Sequence, residues 1–185
     1  TEYSATVNKI MTSGVNVVFN TTIPPGVGAL FKQLHEAGFG KKGGRLACVY
    51  YDENALGITP ANEIEGLATC LDYFSAINDP MGTKIFNNYK AQFGDKSRFC
   101  AGGAATGMWR GLMLWAEAVK EAKSVKRDAV AAALDHAKLT DGPGGGCEMV
   151  PGTRHLKMNM YIAVSKGGQY KVVESSKMVA PGECA

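Results

Sequence analysis

Three apolar runs, "VNVVFN", "RLACVYY" and "EGLATCLDYF", recur along the first part of the chain, and helical patterning alternates with them. Strands that alternate with helices in this way imply an α/β fold with a mostly parallel sheet covered on both faces. The unbroken run "VNVVFN" predicts a strand buried on both sides. After it, "VGALFKQLHEAGF" repeats Ala29, Leu30, Leu34 and Ala37 at helical spacing, and Gly38 ends the helix. Before it, "YSATVNKIMTS" (residues 3 to 13) sets Val7, Ile10 and Met11 on one helical face, with Ser4 as a candidate N-cap and Gly14 as a stop. On sheets of this kind ligands sit beyond the carboxyl ends of the strands.

The texture changes near residues 75 to 80. "MGTKIFNNYKAQFG", "ATGMWRGLMLWAEAVKEAKS" and "VKRDAVAAALDHAKL" predict three consecutive helices with no strand between them. The loop-rich "TDGPGGGCEMVPGT" follows, then a hairpin, "KMNMYIAVSKGGQYKVVES", turning at Lys166-Gly167-Gly168. A loose tail is expected from Lys177. The chain opens on a helix with no strand before it, and the three helices have no sheet of their own, so further strands are expected upstream.

At 185 residues the chain is long enough for a sizeable core, burying about 70% of its unfolded surface. A net charge of +3 with interspersed signs, and no basic run interleaved with aromatics, excludes an evident nucleic-acid footprint. No apolar run reaches the roughly 18 residues of a spanning helix, and "TEYSATVNKI" lacks the regions of a secretion signal. Cys48, Cys70, Cys100, Cys147 and Cys184 are widely spaced without a C-x-x-C or clustered histidines, which argues against a metal site. Cys48 and Cys70 fall in strand-like runs, as small buried hydrophobes. Cys100 and Cys147 lie beside glycine-rich loops, a place where a disulfide could form in an oxidising compartment.

The stretch "NTTIPPGVGALF" invites comparison with a dinucleotide loop, yet Phe31 stands where the third glycine belongs, so the fingerprint fails. Asn20, Thr21 and Thr22 precede a helix N-terminus and can donate and accept hydrogen bonds to a small polar molecule, or equally satisfy only their own turn. Tyr50 and Tyr51, adjacent on a strand, point to opposite faces, so one faces a ligand while the other packs. Asp52 or Glu53 could accept from an amide or ammonium group; the plainer alternative is a pair of solvated loop charges. Within "MWRGLMLWAEAV" most apolar residues read as a core helix, while Trp109, near the first turn, could line a pocket. His35, His136 and His155 have no nucleophile in a recognisable motif, and G-x-S-x-G is absent, so no enzymatic activity and no cofactor are expected.

The ordered segments "EYSATVNKIMTSGVNVVF", "ALFKQLHEAGF", "EIEGLATCLDYFSAINDP", "IFNNYKAQFG", "ATGMWRGLMLWAEAVKEA", "RDAVAAAL" and "HLKMNMYIAVSKGGQYKVVE" resemble the type I periplasmic solute-binding proteins of ABC importers, the branched-chain amino acid, amide and urea group. "RHLKMNMYIAVSKGGQY" is most similar to the urea-importer and amide-sensor subgroup, although Leu156 follows His155 where that subgroup often has a second histidine. The resemblance implies two hinged α/β lobes that close on a small ligand. It places residues 1–74 and 155–176 in most of the second lobe, 75–154 in the C-terminal helical part of the first, and 177–185 in a tail. It implies that the N-terminal half is missing and that Asn20, Thr21, Thr22 and Ile23, with Tyr50, Tyr51, Asp52 and Glu53, contact the ligand. The implied role is an extracytoplasmic, periplasmic bacterial receptor delivering a short amide, urea or aliphatic amino acid to a membrane ABC permease. The alternative is a cytoplasmic amide sensor of the same fold that regulates gene expression through a partner protein.

Overall fold

The computed structural model describes residues 2–23, 26–94, 97 and 99–182. Cys184 lies outside them. The fold is mixed α/β, and the sheet begins with three parallel strands: β1 (Val17–Asn20), β2 (Arg45–Cys48) and β3 (Ala68–Leu71). Helix α1 (Ser4–Ser13) precedes β1, α2 (Gly26–Glu36) joins β1 to β2, and α3 (Glu53–Gly57) follows β2. Helices α4 (Pro80–Phe93), α5 (Gly103–Ala122) and α6 (Arg127–Leu134) then run in succession, before short strands β4 (Lys138–Leu139) and β5 (Cys147–Val150). A long hairpin, β6 (His155–Lys166) with β7 (Gln169–Val179), closes the fold.

Strand β6 has twelve residues and serves two neighbours. Its first part pairs antiparallel with β5 through Met158↔Cys147 and His155↔Val150, and its second with β3 through Tyr161↔Leu71 and Val164↔Ala68. The ladder with β7 shifts register between Met158 and Met160. There Asn159 bridges the irregularity, its Oδ1 accepting from the Met178 N–H at 3.0 Å.

Two apolar clusters follow this division. The larger gathers Val27, Phe31, Leu34, Tyr51, Ile64, Leu67 and Phe74 from α2, β2, β3 and their connections. The smaller, of Leu114, Ala118, Val130, Ala133, Ala137 and Cys147, seals α5 and α6 against β4 and β5.

Several sequence expectations are corrected. Ser4 is the first helical residue, not the cap: its N–H and hydroxyl both meet the Glu2 carboxylate, while Tyr3 occupies the cap position. Strand β1 is an edge strand, so Val17 and Phe19 stand 55% and 66% exposed rather than buried on both sides. Asp52 and Glu53 are not solvated loop charges: "ENALG" is helix α3, because the Asp52 carboxylate accepts from the Asn54 and Ala55 N–H groups and caps it. The region from Lys177 to Val179 extends β7 instead of fraying. Cys70 is exposed, because its side chain lies on the face of β3 away from Thr69 and Leu71. Cys100 and Cys147 are separate free thiols: Cys147 is buried in the small cluster, while Cys100 is anchored through its N–H to Asn54 Oδ1 at 2.9 Å. Met108, Leu112 and Trp115 point outward from α5, because Thr106, Arg110, Leu114 and Ala118 take its inner face.

Candidate functional site

The parallel strands β1 to β3 end at one edge of the sheet, and the polar residues of the first region converge there. At the end of β1, Asn20 is buried; its amide donates to the Thr22 carbonyl at 2.8 Å and reaches Cys48 Sγ at 3.4 Å. The Cys48 thiol in turn donates to the Tyr50 carbonyl at 3.4 Å, so the loops after β1 and β2 are stitched together. Thr21, Thr22 and Ile23 are exposed on the outer side of this seam. Asn20 therefore holds its own turn, and the two threonine hydroxyls are the groups left facing outward.

Tyr50 and Tyr51 lie past the end of β2, in the connection to α3 and not on a strand as expected, yet their side chains still part. Tyr51 is buried against Phe31, with ring centroids 5.5 Å apart, and its hydroxyl meets Thr59 Oγ1. Tyr50 stays half-buried, its hydroxyl donating to Asp52 Oδ2 at 3.3 Å. Burial, reinforced by the Asp52 charge, pushes the Tyr50 phenol up to about 12, so it remains a donor at neutral pH.

The two acids also divide. Asp52 is 2% exposed and fully engaged, accepting from the Asn54 N–H at 3.0 Å, the Ala55 N–H at 3.3 Å, the Asn54 amide at 3.2 Å and Tyr50. Glu53 is half-committed: Oε1 accepts from the Ser75 N–H at 2.5 Å, while Oε2 is buried without a partner. Burial raises the Glu53 carboxyl above the ordinary carboxylate value, with the Ser75 bond opposing and the Asp52 charge adding to it. A carboxylate in that state gains from any ligand that brings it a donor or a positive charge.

The N-terminus of α5 abuts these acids. A side-chain carbon on Gly102 would come within 2.8 Å of Asp52 Oδ2 and 3.0 Å of Glu53 Oε2, which only glycine avoids. The helix's free N–H end then faces negative charge, a favourable arrangement. Beside Glu53, a cavity of about 360 Å3 opens between Leu56, Ser75, Gln169 and Tyr170.

Arg110 was not anticipated from the sequence. This guanidinium on α5, 4% exposed, pairs with Asp72 just past β3 and donates to the Pro143 carbonyl at 2.7 Å. The same loop is held from three more sides: Tyr161 and the Asn159 amide donate to the Gly144 carbonyl at 2.8 and 3.0 Å, and the Gly144 N–H donates to Asp79 at 3.2 Å. Gly144, with φ of 75°, also presses the Asp72 carbonyl, where a Cβ would come to 2.2 Å. Trp109 is half-buried beside Gly142 of this loop. The legible signals were a lone arginine in the apolar "MWRGLML" and the glycine run "GPGGG".

His136 and His155 are exposed, and His35 lies on α2 against Asn62. Among the described residues no group of three His, Cys, Asp or Glu could hold a metal ion, and no helix is long and apolar enough to cross a membrane.

The parallel strands with polar loops at their carboxyl ends, and the second set of helices tied back by β6, are matched by a known family. The family model described as periplasmic binding protein covers residues 1–169. The chain belongs to the periplasmic binding protein family. Its fold is similar to a leucine-binding protein from Thermotoga maritima, with a TM-score of 0.79 and 17% identity, covering 95% of this chain and 49% of that one. It is equally similar, at a TM-score of 0.79, to an ABC transporter solute-binding protein from Rhodopseudomonas palustris in complex with 3,4-dihydroxybenzoic acid, with 22% identity over 97% of this chain and 50% of that one. A periplasmic binding protein from Burkholderia mallei gives a TM-score of 0.81 at 17% identity, covering 96% and 48%. The chain thus spans about half the length of the solved structures it matches. No curated protein sequence matches it.

Proposed function

We propose that this chain forms part of the binding cleft of an extracytoplasmic solute receptor that delivers a small polar molecule, a short amide, urea or aliphatic amino acid, to an ABC permease. The observation that carries the reading is Glu53, whose Oε2 is buried, unpartnered and placed beside Tyr50 and the α5 N-terminus at the carboxyl end of β2. An ammonium or amide N–H of the ligand supplies the missing donor. Thr21 and Thr22 add hydroxyls and Ile23 an apolar edge, while Asn20, Tyr51 and Asp52 shape the two loops from behind. Trp109 contributes an aromatic wall from the second region. The mechanism is binding without chemistry: closure of two lobes is favoured because the ligand has more contacts in the closed state.

In this reading residues 1–74 and 155–176 make most of one lobe and 75–154 a helical part of the other. The two separate apolar clusters support that division. The exposed edge of β1 and the exposed apolar outer face of α5 support the reading that an N-terminal half belongs with this chain. The leucine-binding neighbour favours an amino acid over urea, and the dihydroxybenzoate-bound neighbour widens the ligand class to small carboxylates.

The test is a thermal-shift panel of urea, short amides, branched-chain amino acids and small carboxylates on the full-length protein. A ligand at 100 times its dissociation constant stabilises by about 2.7 kcal/mol, and Glu53→Gln abolishes that shift for ligands with an ammonium group. A panel in which nothing moves the transition overturns the receptor reading.

A further inference from the structure

A second concavity lies at the other end of the sheet, where β2 begins. It encloses about 300 Å3 between the last turn of α2, residues 40–46 and residues 62–65. The floor is apolar: Leu34 and Phe39 are buried, and Leu46 is half-buried. The Phe39 ring lies flush on Gly44, where a Cβ would come within 2.5 Å of it, so the floor reaches the backbone.

The rim carries both signs of charge. Lys41 and Arg45 line it from residues 40–46 and Glu63 and Glu65 from residues 62–65, with His35 hydrogen-bonded to Asn62 at 3.2 Å. Arg45 uses one guanidinium nitrogen on the Gly43 and Gly44 carbonyls, both at 3.2 Å, which fixes the group and leaves its other nitrogens open. Glu65 uses one oxygen on the Gly167 N–H at 2.9 Å. Sharing Arg45 and Glu65, an adjoining hollow of about 350 Å3 extends to Ser165. The Ser165 hydroxyl is buried, its residue 1% exposed, and has no hydrogen-bond partner. A buried unpaired hydroxyl is costly unless something supplies its partner. Every wall of both hollows comes from residues 34–66 and 164–166, apart from the group around Glu53.

We propose that this concavity is a second small-molecule site, separate from the cleft at Glu53, that takes a zwitterionic α-amino acid with an apolar side chain. Arg45 and Lys41 receive the carboxylate, since a guanidinium is suited to bidentate carboxylate recognition. Glu63 and Glu65 receive the ammonium. Leu34, Phe39 and Leu46 receive the side chain, in keeping with a pocket whose floor is apolar and whose few polar groups fix orientation. A rim with equal numbers of lysine or arginine and glutamate selects against a ligand bearing one charge alone, because either acid or base would be left uncompensated.

The experiment is a titration of the full-length protein with L-phenylalanine, followed by amide NMR. Saturable shifts are expected at the N–H groups of residues 39–46 and 62–66. Arg45→Met and Glu63→Gln each weaken these shifts by about tenfold, as judged with variants whose melting transition is native. Hydrocinnamate and phenethylamine, each lacking one charge, bind more weakly by a similar factor. Glu53→Gln leaves the titration of these amides unchanged, so failure here and failure of the cleft reading are told apart. Absence of saturable shifts, native affinity in both rim variants, or equal binding of the singly charged analogues overturns the proposal.

Discussion

The region built on β1 to β3 and the region built on α4 to α6 bury their apolar residues very differently. The first encloses large side chains, with Phe31, Ile64, Leu67 and Phe74 all fully buried. The second has no aromatic among its buried members, which are Leu114, Val130, Cys147 and three alanines, and its longest helix turns Met108, Leu112 and Trp115 outward at 67%, 58% and 50% exposure. The difference teaches that a core's size is set by how many elements surround it. Sheet strands flanked by α1, α2 and α3 leave room for aromatics, whereas α5 and α6 against two short strands do not. The far side of α5 therefore carries an exposed apolar stripe of Met108, Leu112 and Trp115.

That contrast can be broken or sharpened by substitution. Phe31→Ala is expected to cost about 3–5 kcal/mol in urea unfolding, with Leu114→Ala nearer 2; equal losses would erase the distinction. Asp72→Ala strands the Arg110 guanidinium between the two regions and should cost about 3 kcal/mol, read as loss of cooperativity as well as of midpoint. Asp52→Ala removes the α3 cap and should cost about 1 kcal/mol, mainly in protection of the Asn54 and Ala55 amides from hydrogen exchange. Trp115→Ser should change stability by less than about 0.5 kcal/mol, because the ring stands half in solvent on the outer face of α5; a loss in urea unfolding as large as that of Leu114→Ala would erase the distinction between its two faces.

The smallest expected effect is a pH dependence. Burial raises the Glu53 carboxyl, so the native state holds its proton more tightly than the unfolded chain does. The associated stability is present at low pH and is lost as pH rises from the ordinary carboxylate value through the raised native one. Glu53→Gln should flatten that slope in urea midpoints measured across the range, and a cationic ligand should release a proton on binding.

Much of the first region was legible because its signals are local. Apolar runs placed β1, β2 and β3, Gly14 and Gly38 stopped two helices, and Gly167-Gly168, with φ of 58° and 78°, made the hairpin turn. Tyr50 and Tyr51 do part as expected, but from the loop after β2 and not from a strand, with Tyr51 held inside by Phe31. Roles that depend on distant partners were not legible. Asp52 looks like any loop acid until α3 forms behind it, and the exposure of Val17 and Phe19 depends on which strands neighbour β1. Arg110 and Asp72 are far apart in sequence, and only the fold brings them together.

Strand β6 has a mechanical consequence. One continuous length of backbone is laddered to β5 at its start and to β3 further on, with Asn159 between. Displacement of one region against the other therefore bends a hydrogen-bonded ribbon and does not swing a slack tether. Such a ribbon resists stretching far more than flexing, and the Asn159 side chain, bridging Gly144 and Met178, ties it where the ladder with β7 shifts register.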